Sequence, residues 1–245
     1  MYRFFINQEQ LSDGFVTVSG EDAHHMQHVL RMRPGEAVET VDEEGLLYHC
    51  RIAEFTAEEA ILSVEEISAS ENELPCRITL YMGLPKFDRM ELIVQKAVEL
   101  GAARIVPVAM QRSVVKLDEK KAAARRKRWQ AIADAAAKQS KRGLIPEVGS
   151  VVSFKEALAG AKAMDHILFP YECAEGIGNS RRALASIKAG ETLALFIGPE
   201  GGFGLSEVEA AREAGAEVLT LGRRILRTET AAIAAMSILM FTLEA

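Results

Sequence analysis

The sequence contains few cysteines and no hydrophobic run long enough to span a membrane. Its three cysteines, Cys50, Cys76 and Cys173, are widely spaced, which argues against a disulfide framework and gives no zinc-binding pattern. The longest apolar run, Ala231 to Leu243, is shorter than the roughly 20 residues of a transmembrane helix. The N-terminal segment lacks the apolar stretch of a signal peptide, so we expect a cytoplasmic protein without membrane contact.

Several catalytic motifs are also missing. No GxGxxG and no GxxxxGK(S/T) motif occurs, which argues against a nicotinamide-dependent dehydrogenase and against a P-loop nucleotidase. The absence of a GxSxG elbow and of a plausible cysteine nucleophile argues against covalent catalysis. His24 and His28 have the i, i+4 spacing of a metal-binding pair, but a third ligand is not evident and we expect no metal.

Charge is distributed unevenly along the chain, although the net charge is only −6. Residues 1–72 contain four basic and 15 acidic side chains, whereas residues 73–245 contain 25 basic and 20 acidic ones. Between Arg112 and Arg142, 11 basic residues accompany only three acidic ones, so this segment is either a phosphate-binding surface or a solvated helix face. The two charge regimes and the unpatterned stretch Ser68 to Pro75 predict two domains, residues 1–72 and residues 73–245.

The pattern of apolar residues also differs between the two predicted domains. In the first, strand patterns at residues 15–18, 37–41, 46–53 and 60–67 predict an antiparallel sheet or small barrel, interrupted by a helix from Glu21 to about Arg31. From Cys76 onward, strands alternate with helices, which predicts an α/β domain with a mostly parallel sheet. The predicted strands are residues 77–84, 104–108, 166–169, 192–197 and 217–221, and the predicted helices are residues 88–100, 118–141, 180–187, 206–214 and 228–243.

Two loops of the second domain should carry the chemistry, because ligands of open α/β sheets bind beyond the carboxyl ends of the strands. The first, GPEGGFG at 198–204, has four glycines that let the backbone approach a ligand, although a tight turn without a ligand would also use them. The second, LGRRILRTETA at 221–231, places three arginines before the last helix, where Thr228 can act as N-cap and Glu229 suits the helix dipole. A helix N-terminus gains nothing from cations, so Arg227 indicates an anion or developing negative charge.

GPEGGF after a strand, followed by LG-x-RILR-x-ETA, resembles the SPOUT superfamily of methyltransferases. Within it, the chain is similar to the RsmE family, which methylates the N3 nitrogen of one uridine in small-subunit (16S) ribosomal RNA. The resemblance extends along the whole chain through weaker blocks, namely His24-His25 with Val29 to Met32 and Pro34-Gly35, Lys86 with Asp88-Arg89 and Glu91, Arg112-Ser113, and Gln139-Ser140 with Arg142 and Pro146. Gln111 and Lys138 replace acidic residues that are usual in the family, which makes the middle segment more basic.

The resemblance implies a small PUA-like β-barrel that binds RNA, followed by a SPOUT domain with a C-terminal trefoil knot, in a homodimer. It also implies that S-adenosylmethionine is the cofactor, held in the knot by backbone groups and apolar side chains of three loops. The expected cofactor-binding residues are Phe169, Tyr171, Gly198, Pro199, Glu200, Gly201, Gly202, Leu221, Gly222, Ile225, Leu226 and Thr228.

For the reaction that the resemblance implies, Arg227 is the expected catalytic cation. An arginine aimed at a uracil carbonyl would stabilise the anion formed when N3 loses its proton, by about 3–4 kcal/mol if it acts like one oxyanion-hole donor. Glu229 or Glu200 could accept that proton, although the helix dipole explains Glu229 equally well.

The expected partner is ribosomal RNA or the small ribosomal subunit. The expected RNA-binding residues are His24, His25, Arg31, Arg33, Lys86, Arg89, Arg112, Arg128 and Arg142. Two alternatives remain open at this point. One is a SPOUT enzyme that methylates another base or a ribose 2′-hydroxyl, and the other is a non-catalytic ribosome-assembly factor that binds RNA.

Overall fold

The structure, a computed structural model, describes residues 1–174 and 176–244, which form two compact units. The first unit comprises Met1–Glu73 together with Ala137–Leu144, and the second comprises Leu74–Ala136 and Ile145–Ala245. The sequence predicted a single boundary between residues 72 and 73 and assigned residues 137–144 to the second domain. No helix among the described residues is long and apolar enough to cross a membrane.

Polar contacts explain why residues 137–144 belong to the first unit. Arg142 donates from Nε to Glu73 at 2.7 Å, and the backbone N–H of Gly143 donates to the same carboxylate at 2.8 Å. Lys138 pairs with Asp22 at 2.7 Å. Arg142 is only 2% exposed, so its guanidinium forms a structural ion pair and not the RNA contact that the sequence predicted.

The first unit is a curled six-stranded sheet around an apolar core. Its strands are β1 (Arg3–Phe5), β2 (Leu11–Ser12), β3 (Phe15–Ser19), β4 (Ala37–Val41), β5 (Leu46–Phe55) and β6 (Glu59–Ala69), in the order β1-β4-β5-β6-β3-β2. Strands β1 and β4 pair in parallel, and all the other pairs are antiparallel. The alternating apolar residues of these strands face inward, with Val16, Ile52 and Leu62 almost fully buried.

The predicted helix after β3 exists but changes its hydrogen bonding halfway. An α-helical turn, α1 (Gly20–His24), continues as a π-helical turn over His25–Val29. The chain then leaves the helix at Arg31, whose φ of 54° lies in the left-handed region. Because π-helical turns insert one extra residue, they redirect the side chains that follow, and they occur often at functional sites.

The second unit is a sheet with helices, and every strand pair in it is parallel, as the sequence predicted. The strand order is β10-β8-β7-β12-β11-β13, and β9 also pairs with β8. Its elements are β7 (Arg77–Gly83), α2 (Arg89–Glu99), β8 (Ala102–Ala109), α3 (Glu119–Gln139), β9 (Glu147–Val148), β10 (Val152–Ser153), α4 (Phe154–Ala161), β11 (His166–Pro170), α5 (Ile177–Ala185), β12 (Thr192–Ile197), α6 (Leu205–Glu213), β13 (Glu217–Leu219) and α7 (Thr228–Leu243). The last three residues of α3 belong to the first unit.

Aromatic side chains fill the centre of the second unit. Tyr81 stacks on Phe196 with a centroid distance of 4.6 Å, and Phe169 contacts Phe203 at 4.0 Å. Phe169 is fully buried in this cluster, so its side chain packs in the core and is not a side-chain contact of the cofactor. Phe203, from the GPEGGF loop, anchors that loop to the same core.

The charge of His166, on β11, makes the stability of the second unit dependent on pH. Burial lowers the pKa of His166, but hydrogen bonds with Glu217 at 3.1 Å and Glu191 at 3.0 Å outweigh it and the net pKa is raised. A raised folded pKa stabilises the fold below the unfolded histidine pKa of about 6.5, and this contribution disappears as the pH rises through the folded pKa. We therefore expect His166→Gln to reduce the free energy of unfolding more at about pH 6 than at about pH 8.5, as measured by urea denaturation. An equal reduction at both pH values would contradict a raised pKa of His166 in the folded protein.

Candidate functional site

One pocket lies at the carboxyl edge of the parallel sheet, where the loops after β11, β12 and β13 converge. Its volume is about 440 Å³. Because the carboxyl ends of parallel strands meet at one edge of a sheet, loops that are far apart in sequence come together there. Of the residues predicted for the cofactor and for catalysis, the lining includes Tyr171, Gly198, Pro199, Glu200, Gly202, Leu221, Gly222, Ile225, Leu226, Arg227 and Thr228. The lining also includes Pro170, Glu172, Arg223 and Arg224, which lie in the loops expected to hold the cofactor, and Arg89, Ile197, Phe203, Thr220 and Ala231, which were predicted for neither role.

Glycine is required at two points of the lining because of the backbone conformation. Gly202 has a φ of +67° and Gly222 a φ of +121°, values that side-chain-bearing residues rarely adopt. The first loop also closes tightly on itself, since the N–H of Gly202 donates to the carbonyl of Pro199 at 2.8 Å. A Cβ at Gly198 would lie 3.2 Å from the carbonyl carbon of Gly202.

Gly201 has a different role from its neighbours and does not line the pocket. Arg112 packs against it, and a Cβ at Gly201 would lie 3.0 Å from the Cβ of Arg112. The guanidinium of Arg112 donates to the carbonyl of Gly201 at 2.9 Å. Gly201 therefore makes room for Arg112, a residue predicted to bind RNA that remains exposed.

Thr228 connects the two sequence motifs directly. Its hydroxyl donates to the carbonyl of Gly198 at 2.6 Å, and the residue is 5% exposed. The N-cap of α7 is Arg227, and no side chain caps this helix end. The prediction that Thr228 caps the helix is therefore wrong, because its hydroxyl binds the neighbouring loop.

We expect Thr228→Val, which keeps the shape of the side chain, to destabilise the fold by about 1–3 kcal/mol, since the Gly198 carbonyl loses its donor in a partly buried place. Urea denaturation measures this loss. Thr228→Ser keeps the hydroxyl and is the matched control, so it should retain most of the stability. Equal losses in both variants would assign the effect to the methyl group and contradict the role of the hydrogen bond.

A network of ionic side chains occupies one wall of the pocket. The guanidinium of Arg89 donates to Glu200 Oε1 at 2.8 Å, and the backbone N–H of Lys86 donates to the same oxygen at 2.9 Å. Arg89 Nε lies 3.8 Å from Glu229 Oε2. Arg89 and Lys86 were predicted to bind RNA, but the Arg89 side chain and the Lys86 backbone hold a pocket carboxylate in place.

Glu229 presents a buried acceptor beside the pocket. Its side chain is 17% exposed, and Oε2 has no hydrogen-bond partner among residues 1–174 and 176–244. A buried carboxylate oxygen without a donor is costly, and such atoms often mark places where a ligand completes the hydrogen bonding.

The three arginines of the second loop are available to a ligand. Arg223, Arg224 and Arg227 are exposed and line the pocket, and none of their guanidiniums has an ion-pair or hydrogen-bond partner in the part of the chain that the structure describes. Ile225, which the resemblance implied as a cofactor-binding residue, lies between them and is 86% exposed, so it forms an open rim of the pocket.

The remaining predicted RNA-binding residues are accessible. In the first unit His24, His25, Arg31 and Arg33 are exposed, and the rings of His24 and His28 lie 4.5 Å apart. In the second unit Arg128 is exposed and pairs with Glu91 at 2.8 Å. No cluster of three or more potential metal ligands occurs within the described ranges.

The tyrosine of the first pocket loop remains a neutral hydrogen-bonding group. A hydrogen bond with Cys173, together with burial, raises the pKa of Tyr171. Tyr171 therefore keeps its phenolic proton at neutral pH and contributes an uncharged side chain to the lining of the pocket.

The chain is similar to proteins of known class along its whole length. Two family models match it, one described as an RNA methyltransferase domain over residues 72–240 and one described as an RNA methyltransferase PUA domain over residues 18–65. A Bacillus subtilis (strain 168) protein described as ribosomal RNA small subunit methyltransferase E is 36% identical over 250 aligned residues, covering 100% of this chain and 98% of the relative.

Solved structures are similar over the same length. The Neisseria gonorrhoeae ribosomal RNA small subunit methyltransferase E, crystallised with S-adenosyl methionine, is 33% identical with a TM-score of 0.82, covering 98% of this chain and 97% of that chain. A Legionella pneumophila protein in complex with the same cofactor is 31% identical with a TM-score of 0.82, with the same coverage.

Proposed function

Because this chain belongs to the RNA methyltransferase family whose model matches residues 72–240, we propose that it transfers a methyl group from S-adenosylmethionine to N3 of a uridine in small-subunit ribosomal RNA. The observation that carries the proposal is the convergence of the loops after β11, β12 and β13 on a single pocket. Similar structures that contain this cofactor support the same choice of ligand.

The residues of the pocket fit S-adenosylmethionine. Gly198 and Gly202 allow backbone groups to approach a ligand closely, and Leu221 and Leu226 offer apolar surface to an adenine. The buried, unsatisfied Oε2 of Glu229 indicates that the protein alone does not complete the site. When bound, S-adenosylmethionine supplies an electrophilic methyl group, so the protein has to provide position and electrostatics.

We assign the stabilisation of negative charge to Arg227. When uracil N3 loses its proton, the negative charge spreads onto the flanking carbonyl oxygens, and a guanidinium stabilises such an anion by a charge-assisted hydrogen bond. Arg227 is exposed and lines the pocket, and its guanidinium has no ion-pair or hydrogen-bond partner among the described residues, so it can bind the base without breaking an existing contact.

We assign to Glu229 the role of accepting the proton from uracil N3. Oε2 is buried, lacks a donor within the described chain and lies 3.8 Å from Arg89 Nε, which holds the carboxylate near the pocket. Glu200 is the less suitable acceptor, because its Oε1 already accepts from Lys86 and Arg89. The proton would thus move from uracil N3 to Oε2 of Glu229.

We propose that both units bind RNA. The PUA-like domain, residues 1–72, is acidic apart from a basic group formed by His24, His25, Arg31 and Arg33. The exposure of these four side chains supports their role in RNA binding. In residues 73–245, the SPOUT domain, the exposed guanidiniums of Arg112 and Arg128 suit phosphate contacts. Of the other predicted contacts, the side chains of Arg89 and Arg142 have the structural roles described above, whereas Lys86 holds Glu200 through its backbone only and its ammonium can still contact RNA.

We also propose the trefoil knot and the homodimer that the resemblance implies. The hydrogen bond from Thr228 to Gly198 joins the two segments that would cross in the knot. Stretching single molecules should give an unfolded chain shorter than an unknotted one of 245 residues.

Exposed Ile238 and Phe241 on α7 support a dimer contact, and sedimentation equilibrium should give twice the mass of one chain.

The function is tested with purified protein, tritiated S-adenosylmethionine, and small-subunit ribosomal RNA or small subunits that lack the modification. We expect incorporation of tritium, and chromatography of the nucleosides should place it in 3-methyluridine. A label in another base or in a ribose would favour the alternative SPOUT activities. A failure of the cofactor to bind in calorimetry would favour a non-catalytic assembly factor and contradict the proposal.

A further inference from the structure

Phe87 is an exposed aromatic residue in a conformation that suits glycine. It lies in the connection between β7 and α2, its φ is 56°, and it is 76% exposed. The left-handed region is unfavourable for a residue with a bulky side chain. Burial does not offset this cost, because most of the ring is in contact with solvent.

The backbone around Phe87 is fixed at the wall of the pocket. The preceding residue, Lys86, donates its N–H to Glu200 Oε1, and Arg89, two residues later, donates to the same oxygen. Glu200 and Arg89 both line the pocket. The segment that carries Phe87 is therefore attached on both sides of this residue to one pocket carboxylate and is not a free loop.

The chemistry around the ring suits a nucleobase. Lys86, Asp88 and Arg89 are close neighbours of Phe87 in the sequence, so the segment that carries the ring is otherwise ionic. The ammonium of Lys86 has no ion-pair or hydrogen-bond partner among the described residues. Proteins stack unpaired bases on exposed aromatic rings and contact the adjoining phosphates with cations.

We propose that Phe87 stacks on a nucleobase of the RNA substrate next to the base that enters the pocket. The inference rests on the proposed function, since it requires an RNA substrate. Splaying one base into a pocket exposes the faces of its neighbours in the strand, and a ring held at the mouth of the site replaces the stacking that they lose. Phe87 is then a substrate-positioning residue that does not contact the reacting atoms.

The test uses Phe87→Gly in the full-length protein. Glycine adopts this φ without strain, so the variant should fold at least as well as the original chain. We expect the KM for unmodified small-subunit ribosomal RNA to rise about tenfold, the loss of one base–aromatic stack. The kcat and the Kd of S-adenosylmethionine should stay within about twofold, because the ring does not line the pocket.

Two further variants separate stacking from general apolar contact. Phe87→Trp keeps an aromatic face and should keep the RNA KM, whereas Phe87→Leu keeps apolar surface without that face and should behave like Phe87→Gly. An RNA oligonucleotide with 2-aminopurine beside the target uridine should lose its fluorescence quenching with both Phe87→Gly and Phe87→Leu.

Three outcomes would overturn the inference. If the unchanged protein methylates RNA and Phe87→Gly keeps the RNA KM, the stacking role fails and the proposed function stands. If Phe87→Gly alters the sedimenting mass and leaves the RNA KM unchanged, the ring belongs to a protein contact. If the unchanged protein methylates no RNA, the premise fails, and the stacking role fails with it.

Discussion

Replacing Arg227 by alanine should lower the rate of methyl transfer by about 10²–10³-fold, the usual effect of removing one donor that stabilises a developing anion. The fold should not suffer, because Arg227 is exposed and its guanidinium has no ion-pair or hydrogen-bond partner among the described residues. Calorimetry should find S-adenosylmethionine binding nearly unchanged, and single-turnover transfer of tritium to RNA should report the lost rate.

The neighbouring arginines provide the controls for this experiment. Arg223→Ala and Arg224→Ala remove equally exposed cations from the same loop, so they should weaken RNA binding and change the single-turnover rate much less. Arg227→Lys keeps the charge without the planar fork of donors and should recover only part of the rate. Unchanged turnover in Arg227→Ala would remove this residue from the mechanism, and lost cofactor binding would assign it to the cofactor.

The regular elements were predictable where local pattern and turn residues agree. The bounds of β4, β12 and α7 coincide with the predicted residues 37–41, 192–197 and 228–243. Each has a continuous apolar or alternating pattern between turn or capping residues, so local sequence alone specifies it. Helix α4 was missed although Ser153 and Glu156 form a capping box before an apolar stretch, a signal that a search for such boxes would have found.

Long-range pairing was not predictable from local pattern. Strand β1 has only three residues and pairs in parallel with β4, more than 30 residues later in the chain. The inclusion of residues 137–144 in the first unit depends on contacts such as Arg142 with Glu73. A charge run predicts exposed cations in general, but it does not tell which arginine becomes buried in an ion pair.

The difference between local signals and long-range contacts also decides which parts of the pocket were predictable. Its three loops were predictable because strand ends and glycine-rich turns are local signals, and the family motifs lie in two of them. The direction of individual side chains was harder to predict. The side chain of Phe169 packs in the core, whereas the next two residues, Pro170 and Tyr171, line the pocket. The bond from Arg89 to Glu200 joins residues 111 positions apart, so no local pattern indicated that Arg89 belongs to the pocket.

We expect Gly83→Ala to have the second large effect, although Gly83 does not line the pocket. Gly83 ends β7, and a Cβ there would lie 2.6 Å from Pro199 Cδ, 2.7 Å from Pro199 N and 2.8 Å from Met110 Sδ. Two of these atoms belong to Pro199 of the GPEGGF loop, so this loop must move to make room for the added Cβ. Overpacking of this kind costs about 1–3 kcal/mol, measurable by urea denaturation.

The displaced loop should also weaken the binding of S-adenosylmethionine about tenfold, since Pro199 and Gly198 line the pocket. Gly178→Ala is the matched control, because Gly178 lies in α5 with no heavy atom within 4 Å of the added Cβ. That variant should be as stable as the original chain or more stable, since alanine favours a helix over glycine. If Gly83→Ala matched Gly178→Ala in both stability and cofactor affinity, the end of β7 would not position the loop. A loss of affinity together with a loss of stability would instead place Gly83 behind the pocket as the residue that allows Pro199 its position.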